Sequence, residues 1–489
     1  MALGADGSLV MVQQVQEFDV VVVGGGAVGE NAADRAGRTG LSVAIVEHAL
    51  VGGECSYWAC MPSKALLRPG SALAAARAVP GAAAAGTGTV DVAAAFARRD
   101  EVAHHWDDGS QVSWLDSAGI TLLRGHARFT GPRALTVTDG SEETPVVARR
   151  AVVLATGSEP IVPATLADVR PWSSRDATSA QHVPARLAIL GGGVVGVEMA
   201  TAFADFGSEV TLLVRGARLL GGAEPFAGEL VADALRAAGV DVRFGTEVTG
   251  ATRDDGGVHL ELSSADGTVR LDVTEVLAAT GRRPRTSDVG LETIGLTPGK
   301  PAEVDDALCV TGVEDGWLFA VGDVSGRTAT THQGKYDARV AGDVVAHRFG
   351  PGGGDERDAA PWSRFRATAD VAAVPQVVFT RPEVAWVGRS EAAARDAGID
   401  VQVLDYALED VAGATVLSPD YRGRGRLVVD RSRGVVVGAT FVGPDVAELL
   451  HAATVAVVGE VPLDRLWHAV PSYPTLSEVW LRFLETAGL

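Results

Sequence analysis

One unit, an apolar strand, a glycine loop, a helix and a second strand, occurs twice in this chain of 489 residues. No other feature narrows the choice of fold as much. The first copy reads VVVVGGGAVG, with Gly24, Gly26 and Gly29 in GxGxxG spacing after the apolar run 20–23, and its second strand, LSVAIVE, ends on Glu47. The second copy, RLAILGGGVVGVEMATAFADFGSEVTLLVRGARLL, repeats that order with Gly191, Gly193 and Gly196. In such a loop the first glycine makes the tight turn. The second lets a pyrophosphate approach the backbone, and the third lets helix and strand pack closely. The helix N-terminus adds the positive end of its dipole to the phosphates. A lone fingerprint is common among glycine-rich turns, whereas two framed alike predict two dinucleotide sites on an α/β chain.

The copies differ where selectivity resides. Glu47 offers a carboxylate to a ribose diol, but the second copy has no acid at that place, and Arg215 and Arg218 follow its strand. A carboxylate would repel a ribose 2'-phosphate and a guanidinium would clamp it, so the second site is expected to prefer NADPH to NADH. The string VLATGS contains Thr156 and Gly157, and TEVLAATGRRP repeats the pattern at Gly281. Asp323 ends the short apolar run of DGWLFAVGD, where an acid either holds a polyol chain or forms an Asx turn.

Composition excludes several functions. The formal charge of −20, with no basic stripe, argues against nucleic-acid binding. No run of eighteen uncharged apolar residues marks a membrane span, and the opening residues lack a secretory pattern. With only three cysteines the chain is no disulfide scaffold, and a cytoplasmic home is expected. Cys309 stands apart as a buried or neutral thiol. Cys55 and Cys60 lie in GGECSYWACMPSKALL, straight after the first nucleotide unit, a layout that suggests a redox dithiol delivered to a cofactor. The motif runs into a helix start, which would lower a thiol pKa, and Lys64 follows Cys60 by one helical turn. No metal-ligand set is assigned.

The ordered strings GGGAVG, GGECSYWACMPSK, ATGS, GGGVVGVE, VGDVSG and PTLSE resemble those of the FAD-dependent pyridine nucleotide-disulfide oxidoreductases, the group of glutathione reductase, dihydrolipoamide dehydrogenase and mercuric reductase. The resemblance spans nearly the whole chain. It implies two Rossmann-like domains, for FAD and NADPH, plus a C-terminal α+β interface domain. The expected bounds are 17–160 and 291–364 for the FAD domain, 161–290 for the NADPH domain and 365–489 for the interface or dimerisation domain. It also implies a homodimer with shared active sites. Cys60 would face the flavin and form the thiolate–flavin charge-transfer pair, and Cys55 would attack the acceptor. Lys64 would sit beside the flavin and pair with Glu198.

The pattern departs at its far end. Family members carry a histidine five residues before the glutamate of the PTLSE-like string, yet counting back from Glu478 reaches Tyr473. Histidine titrates near neutrality and tyrosine does not. Three accounts are compatible with this. His468 or His332 stands in; Tyr473 serves as a weak acid toward an activated disulfide; or the acceptor is a quinone, a metal species or another electrophile. Mercury is disfavoured, because vicinal C-terminal cysteines and an N-terminal metal-binding domain are absent. Glu54 occupies a place where a small hydroxyl residue is common, and Tyr57 and Trp58 either wall a flat acceptor or pack an interface. The expected activity is electron transfer from NADPH through FAD and the Cys55–Cys60 disulfide to a small disulfide or thiol-type acceptor. A quinone or diaphorase-type reductase is the alternative.

Overall fold

The computed structural model describes residues 2, 3, 9, 10 and 15–489, and its contacts divide the chain into two compact units. The first unit comprises residues 1–57, 104–159 and 282–370. Its seven-stranded sheet has the order Thr121–Arg124, Val43–Glu47, Gln16–Val23, Glu142–Leu154, Ala134–Asp139 and His126–Gly131, with Leu318–Ala320 also pairing Glu142–Leu154. The strands from Thr121–Arg124 to Glu142–Leu154 run parallel, as does Leu318–Ala320, whereas the last two pair antiparallel. Parallel strands buried on both faces read as continuous apolar runs. Accordingly Val20, Val21 and Val22 are fully buried. Val20 and Val22 pack among Ala32, Ala33 and Ala36 of the helix Ala27–Gly37 and Ala341 and Val345 of the helix Thr331–Phe349, while Val21 packs among Phe129, Leu154 and Leu318. These two helices approach so closely that a Cβ on Gly342 would lie 2.4 Å from the Cβ of Arg35.

The second unit comprises residues 58–103, 160–281 and 371–489. A four-stranded parallel sheet has the order Asp241–Phe244, Glu209–Val214, Arg186–Leu190 and Glu275–Ala278. A three-stranded antiparallel sheet spans 247–273, and the C-terminal region forms a five-stranded antiparallel sheet. In that sheet Arg424–Asp430 and Val435–Gly443 form the hairpin that two valine-rich runs around a polar turn predict, with Asp430 accepting from the backbone N–H groups of Ser432 and Arg433. The stretch 58–103, which the expected bounds place in the FAD domain, clusters with this unit. Leu66 and Leu67 of the helix Cys60–Ala78 share a core with Val197, Ala200 and Phe203 of the helix Val194–Asp205 and with Val378, Val384 and Val442. No helix among the described residues is long and apolar enough to cross a membrane.

Candidate active site

Each glycine fingerprint builds the same cradle. Gly24 has φ +106°, and a Cβ there would lie 2.4 Å from the Ala155 carbonyl oxygen; Gly191 has φ +118°, and a Cβ would lie 2.2 Å from that of Ala279. A Cβ on Gly29 would fall 1.9 Å from the Gly24 carbonyl oxygen, and one on Gly196 equally close to that of Gly191. By contrast, a Cβ on Gly26 would meet only the Gly53 Cα, at 3.8 Å, and one on Gly193 nothing within 4 Å. Gly26 and Gly193 begin helices whose first N–H groups have no side-chain cap. Crowded outer glycines, an open middle one and uncapped N–H donors suit a pyrophosphate, so both cradles fit a dinucleotide.

In the first unit Glu47 is buried, and its two carboxylate oxygens accept from the backbone N–H groups of Gly25 and Ala49, each at 2.7 Å. Each oxygen retains a lone pair for a hydroxyl. Asp323 accepts the Ser158 hydroxyl at 2.5 Å, and Ser158 in turn accepts Arg282 Nε at 2.7 Å. Asp323 lies in the first turn of the short helix Gly322–Ser325, which places its carboxylate against Ser158. Thr156 donates to the Arg285 carbonyl at 2.7 Å, and Gly157 turns the chain with φ +70°. In the second unit Gly281 has φ +127°, and Arg215 and Arg218 are exposed after the strand Glu209–Val214, Arg218 donating to the Gly221 carbonyl. Ser158 and Arg282 were not singled out in the sequence, although they adjoin Gly157 and Gly281. Strand repeats reveal turns there but not side-chain partners.

Cys55 lies in the short helix Gly53–Tyr57, and Cys60 is the first residue of the helix Cys60–Ala78; both are half-buried. One turn further on, Lys64 Nζ lies 2.8 Å from Glu198 Oε2 and 4.9 Å from the centroid of the Phe379 ring. Glu198 is buried, and its other oxygen accepts the Phe379 N–H at 3.0 Å, which fixes the carboxylate facing the lysine. Tyr57 does not line a surface. It is fully buried, donates to the Val51 carbonyl at 3.0 Å, and burial pushes its hydroxyl up to about 12. Trp58 lies under the Arg175 guanidinium, 3.9 Å from the ring centroid. Burial likewise pushes the Cys309 thiol up.

Glu478 is buried and accepts from Ala412 N and Arg482 Nη2. The Tyr473 side chain is 76% exposed, and no hydrogen bond to its hydroxyl occurs among the described residues. His468 and His332 are exposed as well.

Comparison with known proteins decides the lineage. The family model described as pyridine nucleotide-disulphide oxidoreductase matches residues 18–338, and that of the same family's dimerisation domain matches 374–482. The chain belongs to the pyridine nucleotide-disulphide oxidoreductases. It is 30% identical to the dihydrolipoyl dehydrogenase of Geobacillus stearothermophilus, with 96% of each chain covered. It is 31% identical to the glutathione reductase of Burkholderia cepacia over 95% of this chain and 98% of that one. It is 34% identical to the mercuric reductase of Shigella flexneri over 94% of this chain and 79% of that one. Among solved structures, the Cu(II) complex of the HOCl-induced flavoprotein disulfide reductase RclA from Escherichia coli superposes with a TM-score of 0.80 at 25% identity, covering 96% of this chain and 99% of that one. Members of this family are oxidoreductases that use FAD and NAD(P)H.

Proposed function

We propose that this oxidoreductase uses NADPH and passes electrons through a Cys55–Cys60 disulfide to a small disulfide or thiol-type acceptor. The observation that carries the reading is the Lys64–Glu198 pair at 2.8 Å, one helical turn beyond Cys60. A cysteine at a helix N-terminus, with a cation held by a buried carboxylate one turn along the same helix, is an arrangement that favours a thiolate. Gly24, Gly26, Gly29, Glu47, Thr156, Gly157 and Asp323 would hold FAD, which when bound relays an electron pair from the nicotinamide to the dithiol. Gly191, Gly193, Gly196 and Gly281 would hold NADPH, and Arg215 and Arg218 supply the charge that a 2'-phosphate needs.

The sulfur chemistry belongs to the chain. The Cys55 thiolate attacks one sulfur of the acceptor disulfide, forms a mixed disulfide and releases the first thiolate. The Cys60 thiolate then attacks the Cys55 sulfur, restores the Cys55–Cys60 bond and releases the second. Both leaving thiolates need protons from solvent or a weak donor, because Tyr473 stands where histidine is usual and Glu478 is engaged by Arg482. Acceptors whose thiols leave readily as anions are therefore favoured. The same observation favours a second reading, a quinone, metal ion or other electrophile as acceptor. The Cu(II) complex of the RclA neighbour lends that reading support. The dimerisation-domain match and the exposure of Trp467, Val470 and Tyr473 on that domain support a homodimer.

Cys55→Ser tests the reading. Disulfide turnover should fall to background while NADPH still bleaches the flavin. Full acceptor reduction by this variant would transfer support to the second reading. In the same assay Tyr473→Phe should slow reoxidation by disulfide and leave reduction by NADPH unchanged.

A further inference from the structure

The first unit contains a connection that neither glycine loop requires. Arg282 donates from Nε to the Ser158 hydroxyl at 2.7 Å and from Nη2 to the Ser158 carbonyl at 2.8 Å, and Nη2 lies 3.9 Å from Glu54 Oε2. Ser158 passes its own proton toward Asp323 at 2.5 Å. One guanidinium thus serves two acids, Asp323 through the serine and Glu54 by an ion pair. Arg282 and Glu54 are each roughly three-quarters buried, so solvent screens the pair only in part. Glu54 precedes Cys55 in the helix Gly53–Tyr57.

We propose that Glu54 is a positioning residue for the dithiol: through Arg282 it fastens the helix carrying Cys55 to the Ser158–Asp323 pair, and Arg282 in turn offsets the negative charge that Glu54 brings beside the thiol. The proposal rests on the dithiol reading above. Its sign is specific. An acid next to a cysteine opposes thiolate formation, and a cation bound to that acid cancels the effect. Removing either partner alone therefore moves Cys55 in opposite directions.

The experiment uses the FAD-loaded enzyme reduced by dithiothreitol. The rate of Cys55 alkylation by iodoacetamide is followed from pH 5 to 9, with peptide mass spectrometry distinguishing Cys55 from Cys60. Glu54→Gln should speed alkylation at neutral pH by about threefold, and Arg282→Gln should slow it by about threefold, each a shift of roughly half a pH unit in the thiol midpoint. The double variant should return to within twofold of the parent rate. Glu54→Asp, which keeps the anion, should stay near the parent, and flavin content establishes that each variant is folded. Equal rates for Glu54→Gln and the parent, or single-variant effects of the same sign, would overturn the proposal. The alkylation rate reports on the thiol whether or not it carries electrons. A Cys55→Ser enzyme that still turns over disulfide therefore defeats the dithiol reading without deciding the role of Glu54.

Discussion

The two nucleotide cradles match in backbone and differ in what closes them. Gly24 and Gly191 each donate their N–H to the second strand, at the Val46 and Leu213 carbonyls, and Ala155 and Ala279 each donate back to the first strand, at Val23 and Leu190. The carbonyls of Gly25 and Gly192 accept from Gly52 and Leu220 in the loop after the second strand. The middle of the loop then diverges. An added Cβ on Gly25 would touch Glu47, and one on Gly192 would touch Val214 and Leu219. Glycine sterics set the shape of the loop. The residue that ends the second strand decides whether the cradle offers a buried carboxylate or leaves charge to the exposed Arg215 and Arg218. The same backbone shape thus frames two different electrostatic environments, a buried carboxylate in one and exposed guanidinium groups in the other.

The largest expected effect probes the shared half of this comparison. Gly29→Ala and Gly196→Ala each force a methyl group to within 1.9 Å of a carbonyl oxygen, an overlap that only backbone movement relieves. Each should cost about 3 kcal/mol or more in its own unit. Gly29→Ala should be purified without flavin, and Gly196→Ala should retain flavin but lose its reduction by NADPH. Gly193→Ala, which meets nothing within 4 Å, should leave thermal stability unchanged and weaken NADPH alone. Equal tolerance of the crowded and the open positions, read from flavin content and melting temperature, would break the correspondence.

The next effect sharpens the difference. Arg215 and Arg218 are exposed, and their value to a 2'-phosphate is that of charge-assisted hydrogen bonds. Substituting both by Gln should raise KM for NADPH by about tenfold, and change KM for NADH by less than about twofold. Parallel losses for the two coenzymes would remove the arginines from selectivity and return the preference to the loop itself.

Local rules made these cradles legible. A GxGxxG turn repeats a local strand–loop–helix order, so spacing alone located Gly24 and Gly191 where the backbone takes positive φ, although the Ala155 and Ala279 carbonyls that crowd them lie far along the chain. The pairing of Lys64 with Glu198 came from the family pattern, since 134 residues separate them. What stayed illegible was decided by packing between distant segments. Tyr57 and Trp58 read alike as bulky aromatics, yet one is a fully buried core residue and the other lies under a guanidinium. The helix after Cys60 reads as a continuation of the first nucleotide unit. Its Leu66 and Leu67 instead join the core of the second, and an apolar helix face does not announce which core it will meet. The Arg282–Glu54 pair is invisible for the same reason: two charges in separate motifs carry no spacing signal.

The smallest effect probes acids that only the first cradle has. Glu30 follows Gly29, where the second copy has Val197 after Gly196. Burial pushes Glu30 up to about 7, with Lys335 opposing and Glu47 adding to the shift. Behind the Asp323 loop, Asp337 is fully buried and accepts the Gly322 N–H at 3.3 Å. Burial, together with the neighbouring Asp370 carboxylate, pushes it up to about 8, and Arg327, which pairs with Asp370 at 2.9 Å, offsets this only in part. Both folded values lie above the ordinary ones of 4.5 and 3.8, so the folded state holds protons that the unfolded chain releases. The associated stability is fully present below about pH 4 and is lost as pH rises through 7 and 8. Flavin release on heating, followed by fluorescence from pH 5 to 9, should therefore shift to lower temperature on the alkaline side. Asp337→Asn preserves the acceptor for Gly322 and supplies a donor toward Asp370, so it should flatten that slope, and Glu30→Gln should flatten it less. An Asn variant whose release midpoint falls with pH as steeply as the parent's would show that this acid does not titrate in the working range. The contrast between the cradles would then rest on Glu47 and the two arginines alone.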